Sequence, residues 1–391
     1  MIRRSLFAYP FVGLVATGLI AGTALAEPGV SDQTILFGQS AALDGPASAL
    51  GVGVRDGIAA AFKEANDAGG VKGRKLELKS DDDGYEPDRA IANTKTLIDT
   101  DQVFALIGEV GTPTSKAVQP IATDAGVPFI GPYTGAEFLR DSGLRNVVNL
   151  RASYFQETET WVKHLTEDLG LSHVAILYQD DSFGRAGLDG VNRALAKRNM
   201  SLVAEGTFQR NTVAVKTALL SIRAANPDAI VTVGPYKPIA EFVKLARSLG
   251  MNQPIVAISF VGAEALAREL GPAGDGVIVT QVVPLPWDTS IPVVAQYQKA
   301  MASYDPAAKP GFISLEGYLV GRLTIMALQR LDGEVTRDAL LRAIEENGAF
   351  DLQGLMAQFG KGDNQGLDEV FLTIIQPDGS FRQVDRLAPA S

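Results

Sequence analysis

The segment GEVGTPTSKAVQP, residues 108–120, combines glycines, hydroxyl side chains and a lysine directly after the apolar run VFALI. This mixture is typical of a loop that binds phosphate. A Walker loop, however, ends in Gly-Lys-Ser/Thr, and here Lys116 follows Ser115. The glycine-rich stretch GVGVRDG, residues 51–57, also lacks the G-x-G-x-x-G spacing of dinucleotide-binding proteins. The sequence therefore gives no support for a nucleotide, and we expect no cofactor.

The same segment predicts the start of a helix after a strand. Thr112 is a good N-cap, Pro113 suits the first helical position, and Thr114 and Ser115 follow with amides and hydroxyls. A helix N-terminus attracts anions, and open α/β sheets bind ligands beyond the carboxyl ends of their strands. Because no phosphate motif is present, a carboxylate is the favoured ligand. A capped helix that binds nothing is the alternative.

Three further strand ends carry aromatic or hydroxyl side chains. Tyr133 and Thr134 follow the apolar run VPFIG, one unit along from the first loop. Phe183 follows HVAILYQ, and Tyr236 follows AIVTVG. Each residue alone is better explained by packing than by recognition. Together the four loops indicate a binding site between two series of strands.

Catalysis has no positive support in the sequence. The chain has no cysteine, and its two histidines, His164 and His173, have no recognisable catalytic or metal-binding partner. The acidic stretches DDDGYE (81–86) and GKGDNQG (360–366) do not match a calcium loop and are interpreted as solvated turns. We therefore expect a protein that is not an enzyme. A hydrolase that uses a carboxylate pair stays open as an alternative.

The first 26 residues predict export. Two arginines precede a long apolar run that ends in Ala24-Leu25-Ala26, the small-x-small pattern of a signal-peptidase site, so cleavage is expected after Ala26. A membrane anchor is the alternative. The formal net charge of −10 becomes more negative when Arg3 and Arg4 are lost, which excludes the basic footprint of a nucleic-acid binder. A periplasmic location follows most simply.

Short β-branched runs alternate with amphipathic segments of helical length along residues 34–258. Such alternation predicts parallel sheets covered by helices on both faces. The series restarts near residues 149–153, which indicates two doubly wound lobes. Two more helices and a final pair of extended segments, EVFLTIIQ and FRQVDR, close the chain.

Several of these segments also resemble one known family as a set. They are AGGVKGRKLEL, DRAIANTKTLI, GTPTS after the third strand, AGVPFIGP and DDSFGRAGLDGV. The chain is similar, from about residue 32 to about residue 380, to periplasmic solute-binding proteins of the leucine/isoleucine/valine-binding type. The resemblance implies a type I periplasmic binding protein, with two Rossmann-like lobes joined by three crossover segments.

The resemblance also implies a function and a division of the chain. Such a protein closes around a small molecule and then docks on the permease of an ABC importer in the inner membrane, most naturally as a monomer. The first lobe is expected at residues 27–150 and 286–365, and the second at 151–285 and 366–391. A sensory module on the same fold remains the alternative.

Site residues follow from matching the motifs position by position. The resemblance implies that hydroxyls and amides after the third strand hold the ligand carboxylate, which here means Thr112, Thr114 and Ser115. Tyr133 and Thr134 continue that cradle from the first lobe. The resemblance places two aromatic residues on the ligand from the second lobe, Phe183 and Tyr236.

One position departs from the family. Amino-acid binders of the type carry an acidic residue after a later strand of the second lobe, where it pairs with the ligand ammonium. Here VAISFVGAEAL places Ser259 and Phe260 at that point. Asp181, Glu109 or Glu316 could supply the charge instead. The ligand is thus expected to be a hydrophobic amino acid, such as a branched-chain one, or a related aromatic or aliphatic acid or an amide.

Overall fold

The computed structural model describes residue 2 and residues 27–388. The predicted signal peptide and its cleavage site therefore lie outside the described residues, apart from residue 2. The fold consists of two α/β lobes, each built on its own sheet. Their strands are largely buried, as expected when helices cover both faces of a sheet.

The sheet of the first lobe is wholly parallel and has the order β2-β1-β3-β4-β5. Its strands are β1 (Thr34–Ala41), β2 (Lys75–Asp82), β3 (Ala105–Ile107), β4 (Phe129–Ile130) and β5 (Val147–Val148). The connecting helices are α1 (Ser48–Asp67), α2 (Pro87–Lys95) and α3 (Thr112–Asp124), with a π-helical continuation of α2 at Thr96–Thr100. The order reverses at β1 and β3, so the loops after these strands border the crevice where ligands bind to such sheets.

The second lobe repeats the parallel arrangement and adds an antiparallel edge. Its parallel strands are β6 (Val174–Gln179), β7 (Ala204–Phe208), β8 (Ala229–Val233), β9 (Ile255–Ala257) and β10 (Ile278–Gln281). Its helices are α4 (Tyr154–Glu167), α5 (Ser182–Ala196), α6 (Lys216–Ala224), α7 (Tyr236–Ser248) and α8 (Ala263–Leu270), with a 3-10 turn at Ser259–Val261.

The chain then returns to the first lobe before it completes the second sheet. Three helices come next, α9 (Pro292–Tyr304), α10 (Phe312–Gln329) and α11 (Arg337–Asn347). A separate hairpin follows, formed by β11 (Ala349–Asp351) and β12 (Met356–Gln358). The last two strands, β13 (Phe371–Ile375) and β14 (Phe381–Val384), extend the second sheet. Strand β13 pairs antiparallel with β10 and β14 pairs antiparallel with β13, which gives the order β14-β13-β10-β9-β8-β6-β7.

Helix α10 packs unusually closely on α1, and glycines make this possible. A Cβ at Gly57 of α1 would lie 2.1 Å from the carbonyl oxygen of Ser314, and one at Gly317 would lie 2.3 Å from that of Val54. With no side chain at either glycine, the two backbones can touch. This contact fixes α10 against the first lobe and places Glu316, next to Gly317, at the border between the lobes.

Three crossover segments join the lobes, which confirms the predicted fold class. They are residues 149–153, 282–291 and 365–370. The first and third run side by side. The backbone N–H of Asn149 donates to the carbonyl of Asn364 (2.8 Å), and the carbonyl of Asn149 accepts from the backbone N–H of Gly366 (2.9 Å). These two hydrogen-bonded crossover segments form the connection about which the two lobes can rotate.

Candidate ligand-binding site

The loop after β3 is shaped by glycines in left-handed backbone conformations. Gly108 has a φ of 68° and Gly111 a φ of 109°. Helix α3 begins at Thr112, so Gly111 is the N-cap residue and the prediction of Thr112 in that role was wrong by one position. Pro113 is therefore the second helical residue rather than the first, still within the turn that tolerates proline. The helix start lies against Tyr85, since a Cβ at Gly111 would be 2.3 Å from its ring.

The hydroxyls of this loop have different partners. Thr112 Oγ1 lies 2.7 Å from Thr134 Oγ1, and Thr134 in turn donates to the Tyr154 hydroxyl at 3.3 Å. Thr114 donates back to the carbonyl of Val110 at 2.5 Å. Ser115 Oγ is buried and has no hydrogen-bond partner among the described residues. Ser115 is therefore the hydroxyl with the most freedom to bind something else.

Aromatic rings from both lobes meet next to these hydroxyls. The ring centroid of Phe260 lies 4.6 Å from that of Phe183, 5.4 Å from that of Tyr133 and 6.0 Å from that of Tyr85. Tyr154 extends the group, with its centroid 5.6 Å from that of Phe183. Tyr85 and Tyr133 belong to the first lobe, whereas Phe183 and Phe260 belong to the second. We call these five residues the aromatic cluster.

A buried arginine lies against this cluster. The guanidinium carbon of Arg151, in the first crossover, is 4.9 Å from the centre of the Tyr133 ring. Its Nη2 donates to the hydroxyl of Ser259 and lies 3.5 Å from Glu157 Oε1. Its Nη1 lies 3.7 Å from Glu316 Oε1. Arg151 thus contacts both lobes from the hinge, and its side chain is only 1% exposed.

Glu157 of α4 is fully bonded. Its carboxylate accepts from the amide of Ser259 at 2.9 Å and from the Ser259 hydroxyl at 2.8 Å. The hydroxyl of Thr280 donates to the same carboxylate at 2.5 Å, and Trp161 Nε1 donates to that hydroxyl at 3.1 Å. An acidic side chain therefore does lie at the Ser259 position, but it comes from a helix about 100 residues earlier in the chain.

Burial sets the charge of the acids around the site. Burial raises the pKa of Glu316 to about 7, against an opposing effect of Arg151. Burial also raises the pKa of Glu109 well above its ordinary value, and the Glu109 carboxyl oxygens have no hydrogen-bond partner among the described residues. Burial opposes the charge of Arg151, but Glu316 and Glu157 outweigh it and raise the pKa of the guanidinium. Arg151 is the permanent charge here, and burial favours the neutral form of Glu109.

The model of the periplasmic binding protein family matches residues 34–380. The chain belongs to this family. It is 23% identical over 333 residues to the leucine-specific-binding protein of Salmonella typhimurium, with 84% of this chain and 87% of that protein covered. Proteins of the family bind solutes rather than transform them. Their periplasmic location also applies to this binding protein.

Solved structures agree with that assignment. A possible leucine/isoleucine/valine-binding protein from Rhodopirellula baltica superposes on this binding protein with a TM-score of 0.87 and 38% identity, over 92% of this chain and 98% of that chain. A fatty acid ABC transporter substrate-binding protein from Thermomonospora curvata shares the fold, with a TM-score of 0.83 and 21% identity over 92% and 93% of the two chains. The predicted family and two-lobed fold are confirmed.

The predicted site residues of this binding protein are mostly brought together. Tyr133, Phe183 and Phe260 share the aromatic cluster, while Ser259 is bonded to Arg151 and Glu316 lies beside it at 3.7 Å. Thr112, Ser115 and Thr134 lie in the adjoining loops, as described above. Tyr236 starts α7, and its hydroxyl accepts from the Ala49 amide across the lobes at 3.5 Å.

Of the three acids named to replace the missing one, two are unsuited to a ligand cation. Asp181 caps α5 through the amide of Phe183 and also accepts from Gln179 (2.7 Å) and Arg210 (3.0 Å). Burial favours the neutral form of Glu109. Glu316 remains, and among the described residues its closest charged neighbour is the guanidinium of Arg151.

The interpretation of residues 81–86 as a solvated turn was wrong. Asp83 and Tyr85 are fully buried, and the Tyr85 ring is part of the aromatic cluster. Gln179 of β6 donates to the Tyr85 hydroxyl at 3.3 Å. The turn points into the cleft because the opposite lobe covers it. In residues 360–366, by contrast, Lys361 and Asp363 are exposed, as predicted.

Sequence reasoning missed four residues of the candidate site, namely Tyr85, Arg151, Tyr154 and Glu157. Arg151 sits in NLRASYF, the stretch recognised only as the boundary between the two series. Arginines are mostly exposed, so this one gave no local signal of its burial against an acid. Glu157 and Tyr154 carried no such signal, since their helix is amphipathic in an ordinary way.

A pocket of about 1030 Å³ opens elsewhere along the border between the lobes. Its walls include Trp287, Lys309, Glu264 and Phe381, and it is lined by none of the residues predicted for the site. The Trp287 ring stacks on Phe381 at 5.8 Å and is 43% exposed. Buried polar groups without hydrogen-bond partners among the described residues, those of Ser115, Glu109 and Arg151, lie beside the aromatic cluster instead.

Within residues 27–388, no group of three or more His, Cys, Asp or Glu side chains could hold a metal ion. His164 lies 2.7 Å from Asp168, and His173 is exposed. None of the helices in the described part of the chain is long and apolar enough to cross a membrane.

Proposed function

We propose that this chain is the receptor of an ABC importer and that it captures a small carboxylate-bearing solute by closure of its two lobes. The solute is a branched-chain or other hydrophobic amino acid, or a related aromatic or aliphatic acid. The aromatic cluster supports this most directly, because it is assembled from both lobes. Tyr133 of the first lobe and Phe183 of the second both contact the same ring, that of Phe260.

Two kinds of group bind such a solute, one its apolar part and the other its carboxylate. The rings of the aromatic cluster take its apolar part, as the walls of most small-molecule sites do. The start of α3 takes its carboxylate, where the buried, unpaired Ser115 hydroxyl adds a donor to the helix amides. Thr112 and Thr134 hold each other in place at 2.7 Å beside it.

The proposed binding residues come from both lobes and from the hinge side. They are Thr112, Thr114, Ser115, Tyr133, Thr134, Phe183, Tyr236, Ser259, Phe260 and Glu316. A ligand that touches both lobes stabilises only the closed form, so binding shifts the equilibrium toward closure. The closed form then presents a surface made of both lobes to a permease in the inner membrane.

The remaining features of the proposal come from the sequence. The chain works as a monomer in the periplasm after cleavage behind Ala26. Its first lobe comprises residues 27–150 and 286–365, and its second lobe residues 151–285 and 366–391. No cofactor takes part, and the chain is not an enzyme.

A thermal-shift screen of residues 27–391 tests the proposal. The panel contains hydrophobic amino acids, aromatic acids, short fatty acids and amides. A ligand at about 100 times its Kd stabilises the folded state by about 2.7 kcal/mol and so raises the Tm. We expect a shift with at least one carboxylate. Small-angle scattering of the same sample should then show a smaller radius of gyration.

A pair of serine variants locates the site. Ser115→Ala should reduce the ligand-induced shift, because it removes the buried donor. Ser221→Ala is the matched control, since Ser221 is exposed and bonds only within α6. Loss of the shift in both variants, or in neither, would contradict the placement at α3. A screen without any shift would contradict the receptor function itself.

A further inference from the structure

The hydrogen-bonding pattern of Arg151 is incomplete. Its Nη2 is held by Ser259 and Glu157. Its Nε and Nη1, by contrast, have no hydrogen-bond partner among the described residues, although the side chain is 1% exposed. Buried N–H groups are almost always paired, and those of a charged group cost most when they are not. These donors are therefore open to an acceptor that the protein does not provide.

Glu316 does not complete the pattern. Its Oε1 is 3.7 Å from Nη1, which is too far for a hydrogen bond. Its carboxyl lies beside the guanidinium rather than on it. An oxygen atom of a ligand can therefore bond to Nη1 without displacing a bond that already exists.

Arg151 also determines the charge of the ligand group that can bind beside it. The guanidinium is bonded to Ser259, the position at which the resemblance implies a pairing partner for a ligand ammonium. A cation of the protein thus lies where a cation of the ligand would lie. Two positive charges in a buried site repel strongly, because little water screens them.

The acidic residues near Arg151 provide little attraction to compensate a ligand ammonium for this repulsion. Glu157 already accepts hydrogen bonds from Ser259 and Thr280, and Arg151 adds an ion pair. Burial raises the pKa of Glu316 to about 7, so a large share of this carboxyl is protonated near neutral pH. Asp181 is bonded to Arg210 and to the start of α5. An anion, however, finds free donors on Arg151.

We propose that Arg151 is a ligand-binding residue and that the ligand is a carboxylic acid without an ammonium group. An oxygen atom of this ligand, as in a 2-oxo or 2-hydroxy acid, accepts a hydrogen bond from Nη1, one of the two unpaired nitrogens of the guanidinium. The inference rests on the proposed receptor function and narrows its ligand class. It predicts that an acid with an oxygen atom at carbon 2 binds more tightly than the amino acid of the same carbon skeleton.

Isothermal titration of the wild-type protein with matched ligand pairs tests this choice. One pair is 4-methyl-2-oxopentanoate and leucine, and the other is phenylpyruvate and phenylalanine. Within each pair the skeleton is constant and only the group at carbon 2 differs. We expect the oxo acid to bind at least about 100-fold more tightly in at least one pair. This comparison needs no variant, so no folding defect can obscure it.

The outcomes separate the inference from the function on which it rests. Tighter binding of leucine or phenylalanine would overturn the inference and leave the receptor function intact. Binding of none of the four compounds would also overturn it in the stated form. The receptor function is contradicted only if no compound of the wider thermal-shift panel raises the Tm either.

Variants of Arg151 add a second test. Arg151→Met should abolish the preference for the oxo acid, while Arg151→Lys should retain part of it. Arg140→Lys is the control, because Arg140 is a neighbouring arginine whose Nε, Nη1 and Nη2 are all paired, with Gln365, Ala136 and the carbonyl of Arg151. It should lower the Tm without changing the affinity ratio within a pair. An equal loss of preference in Arg140→Lys would contradict a direct role of Arg151.

Discussion

Arg210 of the second lobe and Glu86 of the first are joined across the cleft by an ion pair of 2.8 Å between Nη2 and Oε2. The neighbouring Asn211 supports the same contact, since its Nδ2 donates to Glu86 Oε1 at 2.6 Å and to the carbonyl of Gly84 at 3.0 Å. The other end of Arg210 is held by Asp181 within its own lobe. These bonds exist only while the lobes are together, so they contribute to the stability of the closed form.

Arg210→Met should weaken ligand binding by about 3- to 10-fold, mainly through faster dissociation. The figure is modest because Arg210 and Glu86 are partly exposed and water screens their attraction. Arg185→Met is the matched control, because its ion pair with Asp180 (2.6 Å) lies wholly within the second lobe. Stopped-flow fluorescence with the best ligand of the screen measures both rates. Equal dissociation rates in the two variants would show that the contact does not hold the lobes together.

Gly111→Ala should damage both folding and binding. A Cβ at this position would lie 2.3 Å from Cε2 of the Tyr85 ring, and the φ of 109° is already unfavourable for alanine. Gly69→Ala is the control, since Gly69 has a similar φ of 104° but open space around its Cβ position. We expect about 1 kcal/mol of destabilisation in the control from backbone strain alone. Urea unfolding should show a clearly larger loss in Gly111→Ala, together with weaker ligand binding, and similar values for both variants would contradict this.

Glu157→Ala should destabilise the fold by about 3 to 5 kcal/mol, because it leaves the buried Arg151 without its bonded anion. Glu159→Ala, two positions further along α4, is the control. Glu159 pairs with Lys197 and Arg198 at the surface, each at 2.9 Å, and its loss should cost less than about 1 kcal/mol. Urea unfolding of both variants gives the comparison. A cost for Glu157→Ala as small as that of the control would mean that Arg151 is compensated by another group.

The fold could be predicted from the sequence because its signals are local. Apolar runs alternate with amphipathic ones, and the final extended pair does form β13 and β14. The loop after β3 was also recognised as a helix start, although the cap is Gly111, since its left-handed backbone places Thr112 inside the first turn.

The site could be predicted only in part, because its polar contacts are long-range. Ser259 was identified as a departure, but its bonds to Arg151 and Glu157 span 108 and 102 residues. No pattern within one segment reports such a pairing. The stretch DDDGYE was misread for the same reason, since the second lobe, rather than the local sequence, buries Tyr85.

Burial of Glu316 also predicts a dependence of stability on pH. Its pKa rises from the usual 4.5 to about 7 in the folded protein, with burial as the main cause, Arg151 opposing and Glu157 assisting. Because the folded protein holds this proton more tightly, the associated stability is fully present below pH 4.5 and is lost as the pH rises through about 7. A rise of this size corresponds to about 3 kcal/mol. Glu264, whose pKa burial also raises to about 7, adds to the same trend.

Glu316→Gln should therefore flatten, though not abolish, the fall in the free energy of unfolding between pH 5 and pH 7, the window below its pKa of about 7. The amide is neutral at every pH, so it does not pass through the charged state that burial disfavours. Glu334→Gln is the control, because Glu334 is exposed. Urea unfolding at several pH values gives the two slopes. The control should keep the slope of the wild-type protein, and an unchanged slope in Glu316→Gln would show that Glu316 is ionised throughout this range, which would also restore it as a partner for a ligand ammonium.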